Sequence, residues 1–282
     1  MAGVSLEPRF SGDYTRRQTE AARRVLTDIG QVLASFEDCL VVVGGWVPDL
    51  LIEGAGEEHV GSIDVDLALD AKKLMGGRYA ELLGLLIDTR RYFKGEKSFQ
   101  LYAMVDLQDG EAPVRVDVEF LAPQEINLRS SRRSCVIEDF RVLQADGCAA
   151  AFHAPEVVTI DGQMVSGARN RVQLRVASFP DFLVMKCFAL KGRDKPKDAY
   201  DLCYCLGHVA EGMESIAEDW KGRKADESVR RAIEILREKF DSVDAFGPRQ
   251  VVGFLQIGNS EEAAIEARRA CELVQRFLVM VE

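Results

Sequence analysis

The chain has 282 residues, 47% hydrophobic and 29% charged, with a formal net charge of −10 and a pI near 5.0. This is the balance of a globular protein with a real core, and it excludes both an extended disordered chain and the broad basic footprint of a nonspecific nucleic-acid binder. No run approaches the roughly 18 apolar residues of a membrane span, and residues 1–17 hold no apolar signal segment, so no membrane partner and a cytoplasmic location are expected.

Thr15 and Gln18 have capping-box spacing, and Ala21, Val25, Ile29, Val32, Leu33 and Phe36 recur at helical intervals, which predicts a helix over 15–36. Residues 39–43 form a short β-branched run that ends in Gly44-Gly45, a buried strand entering a tight turn, and 46–52 follow as a short helix with Pro48 in its first turn. In Gly61-Ser62-Ile63-Asp64-Val65-Asp66-Leu67-Ala68-Leu69 the alternation sends Ile63, Val65, Leu67 and Leu69 to the core. Asp64 and Asp66 leave from the opposite face. Asp70 is read as the cap of a helix reaching about Arg90, with Leu74, Leu82, Leu85 and Leu86 on its buried side. Strands at 99–107 and 114–121 flank a turn at Asp109-Gly110. The second buries Val114, Val116, Val118 and Phe120 and presents Asp117 and Glu119.

Residues 135–176 read as short strands and turns, with a hairpin turn at Asp161-Gly162. Ser178 before Pro180 starts a helix to Leu190, with Lys186 on the side away from Leu183, Cys187 and Leu190. A basic loop leads into Lys197-Asp198-Ala199-Tyr200-Asp201-Leu202, where Asp198 and Asp201 lie three apart on one helical face. Residues 213–282 are mainly helical, closing with an amphipathic helix over 263–281. This order predicts an α+β fold: a mixed sheet flanked by helices over 1–177, and a C-terminal helical domain over 178–282 that carries the Lys and Asp motifs. Seven scattered cysteines without C-x-x-C spacing read as reduced, mostly buried thiols.

Asp is disfavoured in strands, so Asp64, Asp66 and Asp117 on neighbouring strands call for a chemical reason. A hard cation supplies one, since Mg²⁺ is held by one or two carboxylates together with the phosphates of a substrate. Glycines at a strand-to-helix junction let backbone N–H groups approach an anion. Each feature alone has a plainer meaning. Alternating Asp is often the solvated face of a sheet, and Lys186 reads equally as a snorkelling surface lysine. Asp198 and Asp201 fit the first turn of a helix, while Arg129-Ser130-Ser131-Arg132-Arg133 and the 191–197 run fit solvated loops. His59, His153 and His208 show no ligand spacing, and Cys203-Tyr204-Cys205 sits within a helical pattern.

In combination, the strand before Gly44-Gly45, the alternating Asp64 and Asp66, and Asp117 on a third strand resemble the nucleotidyltransferase core of the DNA polymerase β superfamily. Lys186 and the Lys197-to-Leu202 segment narrow the resemblance to AbiEii/AbiGii-type nucleotidyltransferases, whose members include toxins of toxin–antitoxin and phage-defence systems. The resemblance spans residues 39–206 and implies a polymerase-β-like fold. It implies Asp64, Asp66 and Asp117 as ligands of a two-Mg²⁺ site, with Asp117 helping to activate the attacking hydroxyl. Gly44, Gly45 and Ser62 would lie at the phosphates of an NTP, Lys186 and Lys191 would face the triphosphate, and Asp198 or Asp201 would be a distal catalytic carboxylate. Two departures stand out: Gly45 where many members carry Ser, and Val60-Gly61-Ser62 in place of Arg-x-Thr before the Asp pair.

The chemistry agrees with these roles. Two cations about 3.5–4 Å apart stabilise the attacking and leaving oxygens of an in-line displacement. A carboxylate beside a metal does general-base work, and a lysine point charge helps a pyrophosphate leave. The implied partners are an NTP, a tRNA or other RNA end, and a cognate antitoxin. The expected function is transfer of NMP from an NTP to an RNA end. Two alternatives stay open: transfer to a cationic small molecule such as an aminoglycoside, which an acidic protein would attract, and a catalytically weak nucleotide- or partner-binding module.

Overall fold

The computed structural model describes residues 8–52, 54, 56–75, 77–124, 134–137, 140–209 and 212–282. Its elements are α1 (Arg16–Val32), β1 (Leu40–Val43), α2 (Trp46–Leu51), β2 (Val65–Leu69), α3 (Arg78–Asp88), β3 (Tyr92–Lys94), β4 (Gln100–Val105) and β5 (Val114–Pro123). They continue with β6 (Ser134–Ile137), β7 (Phe140–Ala145), β8 (Glu156–Gln163), β9 (Arg169–Val176), α4 (Phe179–Gly192) and α5 (Lys197–His208). α6 (Gly212–Gly222), α7 (Glu227–Lys239), α8 (Phe246–Leu255) and α9 (Ser260–Val281) complete the chain. The architecture is α+β, with a mixed sheet flanked by helices and a run of helices after it. Among the described residues no helix is long and apolar enough to cross a membrane. The chain divides into two compact units, one of Arg16–Leu51 with Gly61–Met185 and one of the chain up to Thr15 with Ile52–Val60 and Lys186–Glu282.

The first unit holds the sheet. Its strands run in the order β3-β4-β5-β2-β1-β9-β8, with β7 pairing the last residues of β5 and β6 pairing β7. β1 is Leu-Val-Val-Val with every residue buried, the unbroken apolar run of a strand covered on both faces. It pairs antiparallel with β2 and parallel with β9, and β2 runs parallel to β5. β5 alternates instead, with Val116, Val118, Phe120 and Ala122 buried and the residues between them partly exposed. α1 packs on β4, β5, β8 and β9 through Ala21, Ala22, Val25, Leu26 and Ile29. Gly30 permits the close approach, because a Cβ there would come to 2.8 Å from Val172 and 2.9 Å from Leu174.

Several expectations differ from the structure, among them Leu85, which is 37% exposed rather than on the buried side of α3. Asp70 does not cap a helix: its carboxylate accepts from the backbone N–H groups of Lys72 and Lys73 and closes a turn. α3 starts only at Arg78, after Gly77 at φ 95, a left-handed residue that cannot continue a helix. Asp161-Gly162 is not a hairpin turn but lies within β8, paired to Arg171 and Asn170. The turn falls at 164–168, closed by Met164 N–H to Ala168 C=O at 2.8 Å, and Gly167 takes its positive φ of 82. Gly162 serves packing, since a Cβ there would stand 3.1 Å from Thr27 Oγ1. The first helix ends at Val32 rather than at Phe36, and Ala34–Cys39 tighten into a 3₁₀ turn. β3, the short edge strand, carries too little alternation to be visible in sequence. Arg129 to Arg133 lie outside the described residues.

The second unit is helical. Tyr200 and Tyr204 of α5 pack with Phe254 of α8, and Tyr14, Ile52, Val60 and Leu255 close around them. Trp220 of α6 meets Phe277 of α9 edge-on at 5.2 Å. Asp226 caps α7 through Ser228 N–H and Asn259 caps α9 through Glu261 N–H, which is why the last helix begins at Ser260. Cys39, Cys148, Cys187, Cys205 and Cys271 are buried free thiols and Cys203 is a partly buried one.

Candidate active site

Two groups of the expected residues assemble, one in each unit. In the sheet unit, β1 runs out at Val43 and the chain turns through Gly44 at φ 71, a conformation that favours glycine. Val43 stands opposite Asp66 in the ladder, and a Cβ built at Gly44 would run into the Asp66 carboxylate. The acid therefore lies directly over bare backbone at the turn, and Gly45 is buried in the same corner. Asp64 sits one residue before β2 and is held twice. Ser62 Oγ donates to Asp64 Oδ1 at 2.7 Å, and Trp46 Nε1 donates to the Asp64 carbonyl at 2.7 Å. Trp46 is the first residue of α2 and is 2% exposed, so the glycine corner and the acidic strand are fastened to one buried ring. Ser62 is itself buried, and its hydroxyl is directed at the carboxylate it orients.

β5 supplies more carboxylates. Val65 pairs with Val118 and Asp66 with Glu119, so Asp66, Glu119 and, two residues earlier, Asp117 share one face. Asp117 Oδ1 accepts from Arg115 Nε at 2.9 Å. Glu119 Oε1 accepts from Lys97 Nζ and Gln100 Nε2, both at 2.9 Å. Glu119, not Asp117, is the residue level with Asp66, a register that sequence alone does not fix. Among the described residues no three His, Cys, Asp or Glu side chains converge closely enough to hold a metal by themselves. Asp64 and Asp66 are a hard-oxygen donor pair, and Mg²⁺ is normally held by one or two carboxylates, with phosphates and water filling its octahedron. The residues present fit that ion.

In the helical unit Lys186, Asp198 and Asp201 do meet. Lys186 Nζ lies 2.9 Å from Asp198 Oδ1 and 2.7 Å from Asp201 Oδ2, with 8%, 1% and 0% of the three side chains exposed. Arg193 forks onto both oxygens of Asp198 at 2.7 and 2.9 Å, and Lys197 Nζ reaches Asp201 Oδ1 at 2.7 Å. Burial alone would lower the Lys186 ammonium, but Asp198 and Asp201 outweigh it and hold the group above the ordinary lysine value. Burial would likewise raise Asp198, and Lys186 and Arg193 reverse this to hold it well below the usual carboxylate range. Lys197 goes the other way, its burial outweighing Asp201, so its value is lowered. Lys191 is exposed at the end of α4. Lys186 is thus a buried, charged member of an ion-pair cluster and not a snorkelling surface lysine.

His59 completes that cluster, although no spacing marks it. Its Nε2 lies 2.9 Å from Asp201 Oδ1, 142 positions along the chain. Its ring stacks on Tyr200 at 5.6 Å and tilts against Tyr204 at 4.9 Å. Burial, then the charge of Lys197, lowers its pKa to about 4, and the imidazole is neutral at neutral pH. Arg193 and Lys197 were visible only as parts of a basic run, though Lys197 and Asp201 have the i,i+4 spacing of a helical pair.

A glycine turn leaving one strand, Asp64 and Asp66 at the start of the next and further acids on a parallel neighbour match the arrangement expected of a nucleotidyltransferase core. The profile of the family described as "Nucleotidyl transferase AbiEii toxin, Type IV TA system" matches residues 25–249, and the chain belongs to that family. Among solved structures it is similar to the crystal structure of an antigenic nucleotidyltransferase-like protein from Paracoccidioides brasiliensis. The two share 16% identity with a TM-score of 0.42, over 82% of this chain and 90% of the other. No curated protein matches the chain significantly.

Proposed function

We propose that this protein moves NMP from an NTP to a hydroxyl acceptor, an RNA end such as that of tRNA, with Mg²⁺ in a two-cation arrangement. The observation that carries this reading is the seating of Asp66 over Gly44 beside the buttressed Asp64. It places two oriented carboxylates beside the glycine turn at which the triphosphate would lie. Bound Mg²⁺ would neutralise triphosphate charge and lower the barrier to pyrophosphate departure. Asp64 and Asp66 would hold it, and Ser62 and Trp46 would keep Asp64 from swinging away. Asp117 would take the proton of the acceptor hydroxyl once released from Arg115, with Glu119 level with Asp66 as the neighbouring acid. A neutralising antitoxin partner fits the family's type IV toxin–antitoxin description.

The net charge of −10 favours a second acceptor class, a cationic small molecule such as an aminoglycoside. Incubation with Mg²⁺ and each labelled NTP, with bulk tRNA or an aminoglycoside added, separates the two. Label on RNA that disappears in Asp64→Ala and on chelation of the metal supports the proposal. Label on the aminoglycoside alone selects the second acceptor. Failure to label either, at the level of the Asp64→Ala control, contradicts nucleotidyl transfer.

A further inference from the structure

The face that carries the acids continues across β4 to the edge strand. Tyr102 stands opposite Asp117 and Met104 opposite Arg115, while Phe93 stands opposite Tyr102. Residues directly opposite in a ladder share a face, so Phe93, Tyr102 and Asp117 form one row across three strands. Tyr92, Leu101, Ala103, Val116 and Val118 fill the buried side. On the open side Phe93 is 46% exposed and Met104 44%. The Phe93 and Tyr102 rings lie 5.5 Å apart with their planes 34° from parallel. The Arg115 guanidinium sits 4.3 Å over the Tyr102 ring while its Nε donates to Asp117. Exposed Lys97 donates to Glu119, the next acid along β5 on this face, whereas Lys94 stands opposite Leu101 on the other face. Aromatic surface open to solvent on an edge strand is a liability that proteins ordinarily cover with charge or remove.

We propose that Phe93, Tyr102 and Arg115 form the acceptor platform: they stack the last base of a single-stranded polynucleotide, presenting its sugar hydroxyl to Asp117 and the β2 acids. This deepens the nucleotidyl-transfer reading and rests on it. Every base offers a flat π-face, and sheet aromatics and arginine planes are the surfaces that single-stranded ends stack on. Neighbouring strands lie about 4.8 Å apart, so Tyr102 is about 10 Å from β2, within reach of a nucleotide whose base and sugar point opposite ways. Arg115 and Lys97 stand on this face, each paired to a carboxylate, Asp117 and Glu119, and each can turn from that partner to a phosphodiester.

The test titrates the full-length protein into a labelled five-nucleotide single-stranded RNA with a free 3′ hydroxyl, followed by fluorescence anisotropy. Phe93→Leu and Tyr102→Leu keep apolar bulk on the strands and remove the π-face; Tyr102→Trp keeps it. The proposal expects each Leu variant to weaken RNA binding about tenfold and Tyr102→Trp to bind within about twofold of wild type. Melting curves and NTP titrations of the same samples serve as controls for folding and for the nucleotide site. Leu variants that bind RNA like wild type overturn the platform. A wild-type protein that ignores the RNA yet labels an aminoglycoside also overturns it while leaving nucleotidyl transfer standing. RNA binding lost in the Leu variants, in a protein that transfers NMP to nothing, supports the platform and rejects the transfer reading.

Discussion

Gly44 and Asp66 are neighbours that only glycine permits: a Cβ at residue 44 would occupy the space of the Asp66 carboxylate, and the backbone there is left-handed at φ 71. Gly44→Ala therefore both strains the turn, by about 1–2 kcal/mol, and displaces the acid. A displacement near 1 Å costs about 100-fold in rate. The expected result is a loss of about two orders of magnitude in kcat/KM for the NTP, with a melting temperature lowered by only a few degrees. Wild-type kinetics in Gly44→Ala would mean that Asp66 has no part in the reaction.

Ser62 acts through Asp64. Its hydroxyl donates to a carboxylate, a bond worth roughly 1.5–3 kcal/mol, so Ser62→Ala is expected to lower transfer by at least about tenfold. Ser62→Thr, which keeps the hydroxyl, restores most of it. A Thr variant as impaired as the Ala variant would show that bulk, not the hydrogen bond, matters at this buried position.

The Lys186 cluster makes a stability prediction. Removing one member of a buried ion pair strands its partners and costs about 3–5 kcal/mol. Lys186→Met leaves Asp198 and Asp201 with Arg193, Lys197 and His59, and a loss of unfolding free energy of that size is expected in urea titrations. A change below about 1 kcal/mol would show that the remaining cations suffice. The same geometry bears on the phosphate-facing role that family resemblance gives Lys186, since its ammonium is already shared by two carboxylates.

His59 sets an acid limit. Its folded pKa of about 4 lies below the ordinary value of 6.5, so the unfolded chain takes up the proton first as pH falls. Its contribution is therefore complete above about pH 6.5 and is lost as pH drops through 4, by up to about 3 kcal/mol. The groups around it are Asp201, Lys197 and Lys186, with Tyr200 and Tyr204 against the ring. Urea unfolding of wild type and His59→Gln at pH 7.5, 6, 5 and 4.5 measures this. The wild type is expected to lose stability more steeply than the variant between pH 6.5 and 4, and parallel curves would contradict the assignment.

The parts of the fold with a strong local period were legible in the sequence: β1 from its apolar run, β5 from its alternation, α9 from its amphipathic repeat. Gly44, Asp64 and Asp66 were legible as well, because turn chemistry and a period of two act over a few residues. What could not be read depends on distant partners. The pairing of Asp66 with Glu119 is a matter of strand register, and His59 becomes meaningful only when α5 brings Asp201 to it. Asp70 and Asp161-Gly162 misled for a related reason. A cap and a turn signal each have more than one use, and Gly77 and the packing of Gly162 against Thr27 decided between them.

The most direct test is the rate of NMP transfer from labelled NTP by wild type and by Asp66→Asn, a change that keeps the shape at Gly44 and removes the charge. Metal-dependent transfer is expected of the wild type, with a fall of at least about 1,000-fold in the variant, equivalent to roughly 4 kcal/mol of transition-state stabilisation. Equal rates in the two proteins, or transfer that persists undiminished in EDTA, would contradict the proposed reaction.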